Sequence, residues 1–156
     1  MVPRPRLSEL LAELVPARAA LSRLVSELGR FLVRIGERER PLPALVVMDI
    51  RHYYSGLEGA LVHVARTVDG RVPHDPDELV ALLARDVPDV RPAVVDGDLG
   101  PWVLHLAHLR DAFRESHHVD LTIPEIERYV TQLIAHDDAL HRRFDRLVGY
   151  IGAHEA

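Results

Sequence analysis

Cysteine, lysine and asparagine are all missing from this chain of 156 residues. Without cysteine there is no disulfide bond and no zinc site built on thiolates. All 19 residues counted as lysine or arginine are therefore arginines. We attribute this bias to the coding sequence and draw no function from it.

Long apolar runs are missing as well. No stretch approaches the roughly 20 apolar residues of a membrane-spanning helix, and the first residues, MVPRPRLSEL, lack the apolar segment of a signal peptide. The formal net charge is −5, whereas proteins dedicated to nucleic-acid binding are usually basic. We expect a cytoplasmic protein without membrane contact, for which any contact with RNA is local and transient.

The sequence also lacks the usual motifs for phosphate loops and nucleophile elbows. Its ten histidines suggest a metal site, but the pattern that helical bundles use for this purpose, with Glu and Glu-x-x-His pairs aimed inward from several helices, is missing. His136 and His141 are five residues apart and so lie on different faces of a helix. We expect no bound metal and no cofactor.

Apolar residues recur at steps of three and four through most of the chain, which predicts amphipathic helices. The first helix should span residues 7–38, with a seam of Leu7, Leu11, Leu14, Leu21, Val25, Leu28, Leu32 and Ile35. Pro16 lies inside this helix and should kink or split it. The second should span residues 44–68 and stop at Asp69-Gly70. Its seam is Val47, Ile50, Tyr54, Leu57, Leu61, Val64 and Val68.

Three further helices follow. A short one over residues 76–85 should be capped by Asp75, with Glu78 completing a capping box. A long one should begin near Pro101, and Trp102 should anchor it in the core. The last should span residues 123–151 after Thr122 as its cap, with a seam of Ile126, Val130, Leu133, Leu140, Phe144, Leu147 and Ile151 that Asp137 interrupts.

Together these patterns predict an all-α fold, an up-and-down bundle of four long helices plus one short helix. Residues 1–6 should form a flexible arm, and residues 7–152 a single domain, which 156 residues are enough to build.

The densest group of chemically active side chains lies in residues 105–121, HLAHLRDAFRESHHVDL. Arg110, Arg114 and His117 fall on one stripe of the predicted helix, beside an apolar stripe of Leu106, Leu109 and Phe113. Arginine pairs with phosphate, and histidine transfers protons near neutral pH. The stripe therefore suits phosphodiester chemistry without a metal. The alternative is a solvated face, neutralised by Asp111 and Glu115.

On the second helix, Tyr54 and Glu58 are four residues apart and share a face with the apolar seam. A carboxylate at the margin of a core needs a partner, and arginine is the usual one. A pairing of Glu58 with an ordinary surface group is the alternative.

Three segments resemble the HEPN domain superfamily and, within it, the HepT-like group. They are MDIRHYYSGLEGALVHVARTVDG, an aromatic-x-x-x-Glu helix ending in Arg and Gly; the proline-rich connector DVPDVRPAVV; and LAHLRDAFRESHHVDL, built around an arginine and a following histidine. The resemblance covers roughly residues 44–151.

This resemblance implies a helical bundle that dimerises through the helices carrying the Arg/His motif. HEPN members are typically metal-independent ribonucleases, in which the arginine and histidine assist attack of a ribose 2′-hydroxyl on the next phosphate. HepT-like members are toxins paired with a minimal nucleotidyltransferase antitoxin. That antitoxin can silence them by adding nucleotides to a tyrosine two residues after the histidine.

Two registers relate the chain to this motif. In one, Arg110 matches the family arginine, Arg114 a second basic residue, and Glu115 stands where the histidine belongs. In the other, a longer spacing pairs Arg110 with His117. The modifiable tyrosine is absent from both, because His117 or Val119 occupies its position.

The resemblance implies Arg110 for phosphate binding and His117 as general acid or base, with His118 beside it. Arg114 would add charge and Glu58 would orient an arginine.

Arg110 and His117 are separated by about 10 Å along a helix, so catalysis would need a second copy of the chain. We predict a homodimeric endoribonuclease toxin, weakened if the motif is degenerate, with a minimal nucleotidyltransferase antitoxin as partner. The alternative is a non-catalytic HEPN module that binds a nucleotidyltransferase or another protein.

Overall fold

The structure, a computed structural model, describes residues 6–34, 43–116 and 121–155. Over these ranges the chain forms five helices and no strand: α1 (Leu7–Arg34), α2 (Pro43–Asp69), α3 (Pro76–Leu83), α4 (Leu99–Ser116) and α5 (Ile123–His154). The predicted all-α fold with four long helices and one short helix is confirmed. Residues 1–5 of the predicted arm and residues 35–38, the predicted end of the first helix, lie outside the described residues.

Helix α2 lies at the centre of the bundle, since it contacts each of the other four described helices. Helix α1 runs antiparallel to α2, with Leu10 beside His63 and Leu21 beside Gly56. It is also antiparallel to α5, because Arg18 near its middle reaches Asp145. Within the described ranges, no helix is both long and apolar enough to cross a membrane.

The core is one cluster of buried apolar side chains drawn from all five helices. The predicted seams of α2 and α5 are buried in full, and Trp102 is buried as predicted. In α1 the outcome is mixed. Three predicted seam residues are buried: Leu14, Leu21 and Leu28. Two residues that were not predicted for the seam, Leu10 and Phe31, are buried as well. Four other predicted seam residues are only partly buried: Leu7, Leu11, Val25 and Leu32.

Of the two effects predicted for Pro16, a kink or a split of the first helix, the split is wrong, because α1 continues through it. Pro16 is exposed, as is Ala12, whose carbonyl loses its helical partner. Water can hydrogen-bond to a carbonyl on this side of the helix. Leu14 and Leu21, on either side of the proline, are completely buried and hold both halves of α1 against the core.

The predicted N-caps of α3 and α5 are present, but Glu78 does not complete a capping box with Asp75, because its carboxylate accepts from the His74 N–H instead. Asp75 accepts a hydrogen bond from the backbone N–H of Glu78 at 2.8 Å, and Thr122 and Glu125 form a reciprocal capping box. Gly70, with a φ of 65° that favours glycine, follows the last residue of α2. These caps fix where the short helix α3 and the connector before it lie relative to α2.

A buried arginine fixes the connector between α3 and α4. Arg91 is only 1% exposed, and Asp69 accepts from its Nε and Nη2 at 2.7 and 2.8 Å. Its Nη1 and Nη2 also donate to the carbonyls of Arg85, Pro92 and Leu82. All five N–H donors of the guanidinium are therefore used, which ties the connector to the end of α2.

Asp137, which interrupts the apolar seam of α5, is itself buried. The Tyr53 hydroxyl donates to Asp137 Oδ1 at 2.6 Å, and His141 Nε2 lies 3.2 Å from the same oxygen. Arg18 Nε donates to His141 Nδ1, so the ring proton belongs on Nε2, facing Asp137. Burial, and then the charge and hydrogen bond of Asp137, raise the pKa of Tyr53 well above its usual value. We call these four residues the Asp137 network.

Candidate active site

Arg110, near the C-terminal end of α4, is held by two side chains of α2. Its Nη1 donates to Glu58 Oε2 at 2.7 Å, and the Tyr54 hydroxyl donates to the same oxygen at 2.6 Å. The guanidinium also lies over the Tyr54 ring, 4.7 Å from its centroid, a cation–π contact. The structure thus places Glu58 against an arginine, Arg110, and adds Tyr54. We call these three residues the Glu58 network.

The charges of the Glu58 network are set by its position at the edge of the core. Tyr54 is buried. Burial first, and then the hydrogen bond and charge of Glu58, raise its pKa well above the usual value, so the phenol stays protonated. For Arg110, burial lowers the pKa, but the hydrogen bond to Glu58 and the neighbouring charges raise it overall. Arg110 therefore stays cationic.

Arg110 retains hydrogen-bonding capacity. Its Nε and Nη2 both donate to Asp111 Oδ1, at 3.3 Å each, and its Nη1 donates once to Glu58. A guanidinium carries five N–H donors, so three are used and two remain. Its side chain is only 12% exposed, so a ligand can contact only a small part of it.

Arg110 lines a cavity of about 240 Å³ between α2, α4 and the loop that leads into α3. We call it the Arg110 cavity. Its polar lining residues are Glu58, His74, Asp75, Arg110 and Arg114, and its apolar lining residues are Val62, Pro73, Pro76 and Leu79. Pockets for drug-sized ligands occupy about 300–1,000 Å³. The Arg110 cavity is smaller, which suits a phosphate and its sugar better than a whole nucleotide.

Arg114 is the second cation of the Arg110 cavity, one helical turn after Arg110. It is exposed, and within residues 6–34, 43–116 and 121–155 no acidic side chain forms an ion pair with it. The predicted spacing of these two arginines thus brings both guanidinium groups to one cavity, one held by carboxylates and the other available.

Two further residues, His117 and His118, are predicted for the site. Both lie outside the described residues. Glu115, which stands where one register places the family histidine, is exposed and does not line the Arg110 cavity.

Two residues that line this cavity, His74 and Asp75, were not predicted from the sequence to belong to the site. They precede α3, whereas the arginines lie near the end of α4, and no sequence periodicity connects two segments so far apart. Only the packing of α3 on both α2 and α4 brings them together. The one available signal was the capping pattern at Asp75, which fixes the start of α3.

The histidines that we considered as metal ligands mostly pack against aromatic rings. His105 stacks on Tyr129 and His136 on Trp102, with centroids 5.0 Å apart in both pairs. Among the described residues there is no group of three or more His, Asp or Glu side chains arranged to hold a metal ion.

Comparison with known proteins gives one match. The family model described as HepT-like protein matches residues 45–151, a region that covers α2, α3, α4 and most of α5. It therefore includes every residue that lines the Arg110 cavity. Searches of curated proteins and of solved structures found no match. Since the model matches more than half of the chain, the chain belongs to the HepT-like protein family of the HEPN superfamily.

Proposed function

We propose that this HepT-like protein is a metal-independent endoribonuclease, acting in the cytoplasm as the toxin of a toxin–antitoxin pair. The observation that carries the proposal is the Arg110 cavity, where two arginines meet inside the region shared with the family. Arg114 is available and Arg110 has two N–H donors left, so together they can bind the non-bridging oxygens of one phosphate.

The proposed reaction needs no outside reactant. The ribose 2′-oxygen attacks the adjacent phosphorus and gives up its proton to a base. The bond from phosphorus to the 5′-oxygen breaks, and that oxygen takes up a proton. The products are a 2′,3′-cyclic phosphate and a 5′-hydroxyl. Arg110 and Arg114 stabilise the charge that grows on the phosphate in the transition state, and Glu58 keeps Arg110 in place.

We further propose that the protein acts as a homodimer, as its relatives imply. In the sequence, His117 follows directly after Ser116, the last residue of α4. A second copy packed against this end of α4 would bring its own His117 and His118 to the phosphate. Light scattering of the purified protein tests the dimer, and a monomer at assay concentration would contradict it.

A second function is favoured by one observation. In the free chain, Arg110 already faces two carboxylates, those of Glu58 and Asp111. An arginine neutralised in this way is a common structural ion pair. The chain would then be a non-catalytic HEPN module that binds a minimal nucleotidyltransferase or another protein. A gene for a small nucleotidyltransferase beside the gene for this chain supports the partner in both cases and does not distinguish the two functions.

RNA cleavage in EDTA distinguishes them. We expect the wild-type protein to cut single-stranded RNA and leave 2′,3′-cyclic phosphate ends. Arg110→Ala and His117→Ala should each lower the rate by about 100- to 10,000-fold, the usual cost of losing an electrostatic or acid–base group. Arg23→Ala is the matched control, since Arg23 is exposed on α1, away from the cavity. Wild-type cleavage no faster than that of the R110A/H117A double variant would favour the binding module.

A further inference from the structure

His74 lines the same cavity as Arg110 and Arg114. We infer that His74 is a catalytic proton-transfer group of this chain, accepting the proton of the ribose 2′-hydroxyl. The inference rests on the proposed ribonuclease function and adds to it a residue outside the Arg/His motif of α4.

The position of His74 is fixed by the start of α3. Its backbone N–H donates to Glu78 Oε2 at 2.9 Å, while Asp75 caps the same turn by accepting from the Glu78 N–H. Leu79, in the next turn, is buried in the core. Because α3 packs against both α2 and α4, the backbone of His74 is held at the wall of the cavity.

The imidazole of His74 is uncommitted. The side chain is exposed, and within the described parts of the chain it has no hydrogen-bond or ion-pair partner. Two less exposed histidines are engaged: His63 contacts the Leu10 carbonyl and Glu13, and His141 contacts Arg18 and Asp137.

Elimination among the groups lining the cavity points to the same residue. Glu58 accepts hydrogen bonds from Tyr54 and Arg110, and Asp75 accepts from the Glu78 N–H. Both carboxylates thus already accept hydrogen bonds from other groups of the chain. The arginines do not lose protons. Of the described residues that line the cavity, His74 is the one proton-accepting side chain without a hydrogen-bond or ion-pair partner among the described residues.

Every proton and bond of the proposed cleavage step can be assigned to His74, the RNA and solvent. The neutral imidazole of His74 takes the 2′-hydroxyl proton while the bond from the 2′-oxygen to phosphorus forms. The bond from phosphorus to the 5′-oxygen breaks, and that oxygen takes a proton from water or from a second imidazole. The protonated His74 then returns its proton to solvent. The phosphate-binding arginines and the base therefore come from a single protomer.

The test is single-turnover cleavage of single-stranded RNA in EDTA. We expect His74→Ala and His74→Gln to lower the cleavage rate about 100- to 10,000-fold. Free imidazole in the buffer should restore part of the activity of H74A, since it can occupy the space left by the side chain, but none of the activity of R114A. His108→Ala is the matched control, because His108 is exposed on α4 and does not line the cavity. Its rate should equal that of the wild type.

The outcomes separate the inference from the proposed function. If the wild type cleaves RNA and H74A cleaves it equally fast, the inference is overturned and the ribonuclease stands. If H74A is slow but imidazole restores nothing, His74 only positions other groups, which also overturns the inference. If the wild type does not cleave, both fail. Folding should not confuse these results, because a surface substitution costs within about 0.5 kcal/mol of stability, which thermal unfolding checks.

Discussion

Two neighbouring tyrosines of α2, Tyr53 and Tyr54, each form a hydroxyl–carboxylate hydrogen bond, one inside the core and one beside a cavity. Each hydroxyl donates to a carboxylate oxygen at 2.6 Å, Tyr53 to Asp137 and Tyr54 to Glu58. Both carboxylates also face a nitrogen-bearing side chain, His141 in the first case and Arg110 in the second. Consecutive residues of one helix thus begin two polar networks that differ in what lies around them.

The Asp137 network is closed. Asp137 is 6% exposed, and the groups around it come from α1, α2 and α5. Arg18 completes the network by bonding to His141 and, at the surface, to Asp145. A buried charge of this kind fixes how the helices pack, and removal of one partner is costly.

The Glu58 network is open. The Glu58 side chain is 33% exposed, Arg110 keeps two free N–H donors, and the Arg110 cavity lies beside them with Arg114 on its wall. The same tyrosine–carboxylate pair therefore serves different ends. Where it is sealed it stabilises the fold, and where it faces a cavity we propose that it positions a cation for a ligand.

The largest expected difference is in stability after loss of each carboxylate. Asp137→Ala should lower the free energy of unfolding by about 3–5 kcal/mol, because it leaves the buried Tyr53 hydroxyl without its acceptor and removes the carboxylate that faces His141. Glu58→Ala should cost less, about 1–3 kcal/mol, because Arg110 keeps Asp111 as a partner and only the Tyr54 hydroxyl loses its acceptor. Urea denaturation measures both. Equal losses would mean that the two networks do not differ as we describe.

Removal of the hydroxyl groups gives a smaller and better matched comparison. Tyr53→Phe removes the hydroxyl that donates to Asp137 in a buried site and should cost about 1–3 kcal/mol. Tyr54→Phe leaves Glu58 bonded to Arg110 and partly hydrated, so it should cost less than about 1 kcal/mol. The same denaturation experiment checks the order, and a larger loss for Y54F would contradict it.

Alkaline pH should act on both networks. The pKa values of Tyr53 and Tyr54 are raised in the folded protein, mainly by burial. The free energy of unfolding that these two hydroxyl groups contribute is fully present below about pH 10, the pKa of tyrosine in the unfolded chain. It is lost as the pH rises above that value toward the raised pKa of the folded protein. The unfolding free energy should therefore fall by about 1 kcal/mol per pH unit for each tyrosine.

The Y53F/Y54F double variant is the control for the alkaline loss, and its decline above pH 10 should be shallower. An identical decline in the wild type and the double variant would show that other groups cause it.

The sequence predicted the bundle well because each long helix needs an apolar seam, and such seams repeat visibly at steps of three and four. Every predicted seam residue of α2 and α5 is buried. The split predicted at Pro16 does not occur, since the carbonyl that an exposed proline leaves without its helical hydrogen bond can bond to water, at a lower cost in stability than a buried one. Asp137 was read as an interruption, because its buried partner Tyr53 lies 84 positions away.

The candidate site was predictable only where it lies on single helices. The spacing of Arg110 and Arg114, and of Tyr54 and Glu58, follows from helix geometry. The need of Glu58 for an arginine follows from its place at the edge of the core. That the arginine is Arg110, and that His74 joins the cavity, depends on how α3 and α4 pack, which no local pattern encodes.

The cleavage rate of Arg114→Ala in EDTA tests the account most directly. Arg114 lines the Arg110 cavity without an ion-pair partner in the described residues, so its loss should leave the unfolding free energy nearly unchanged. We expect R114A to cleave single-stranded RNA at least about 100-fold more slowly than the wild type, while R23A, which removes the same charge from α1, keeps the full rate. Equal cleavage by R114A and the wild type would contradict the assignment of this open network as the site of phosphodiester chemistry.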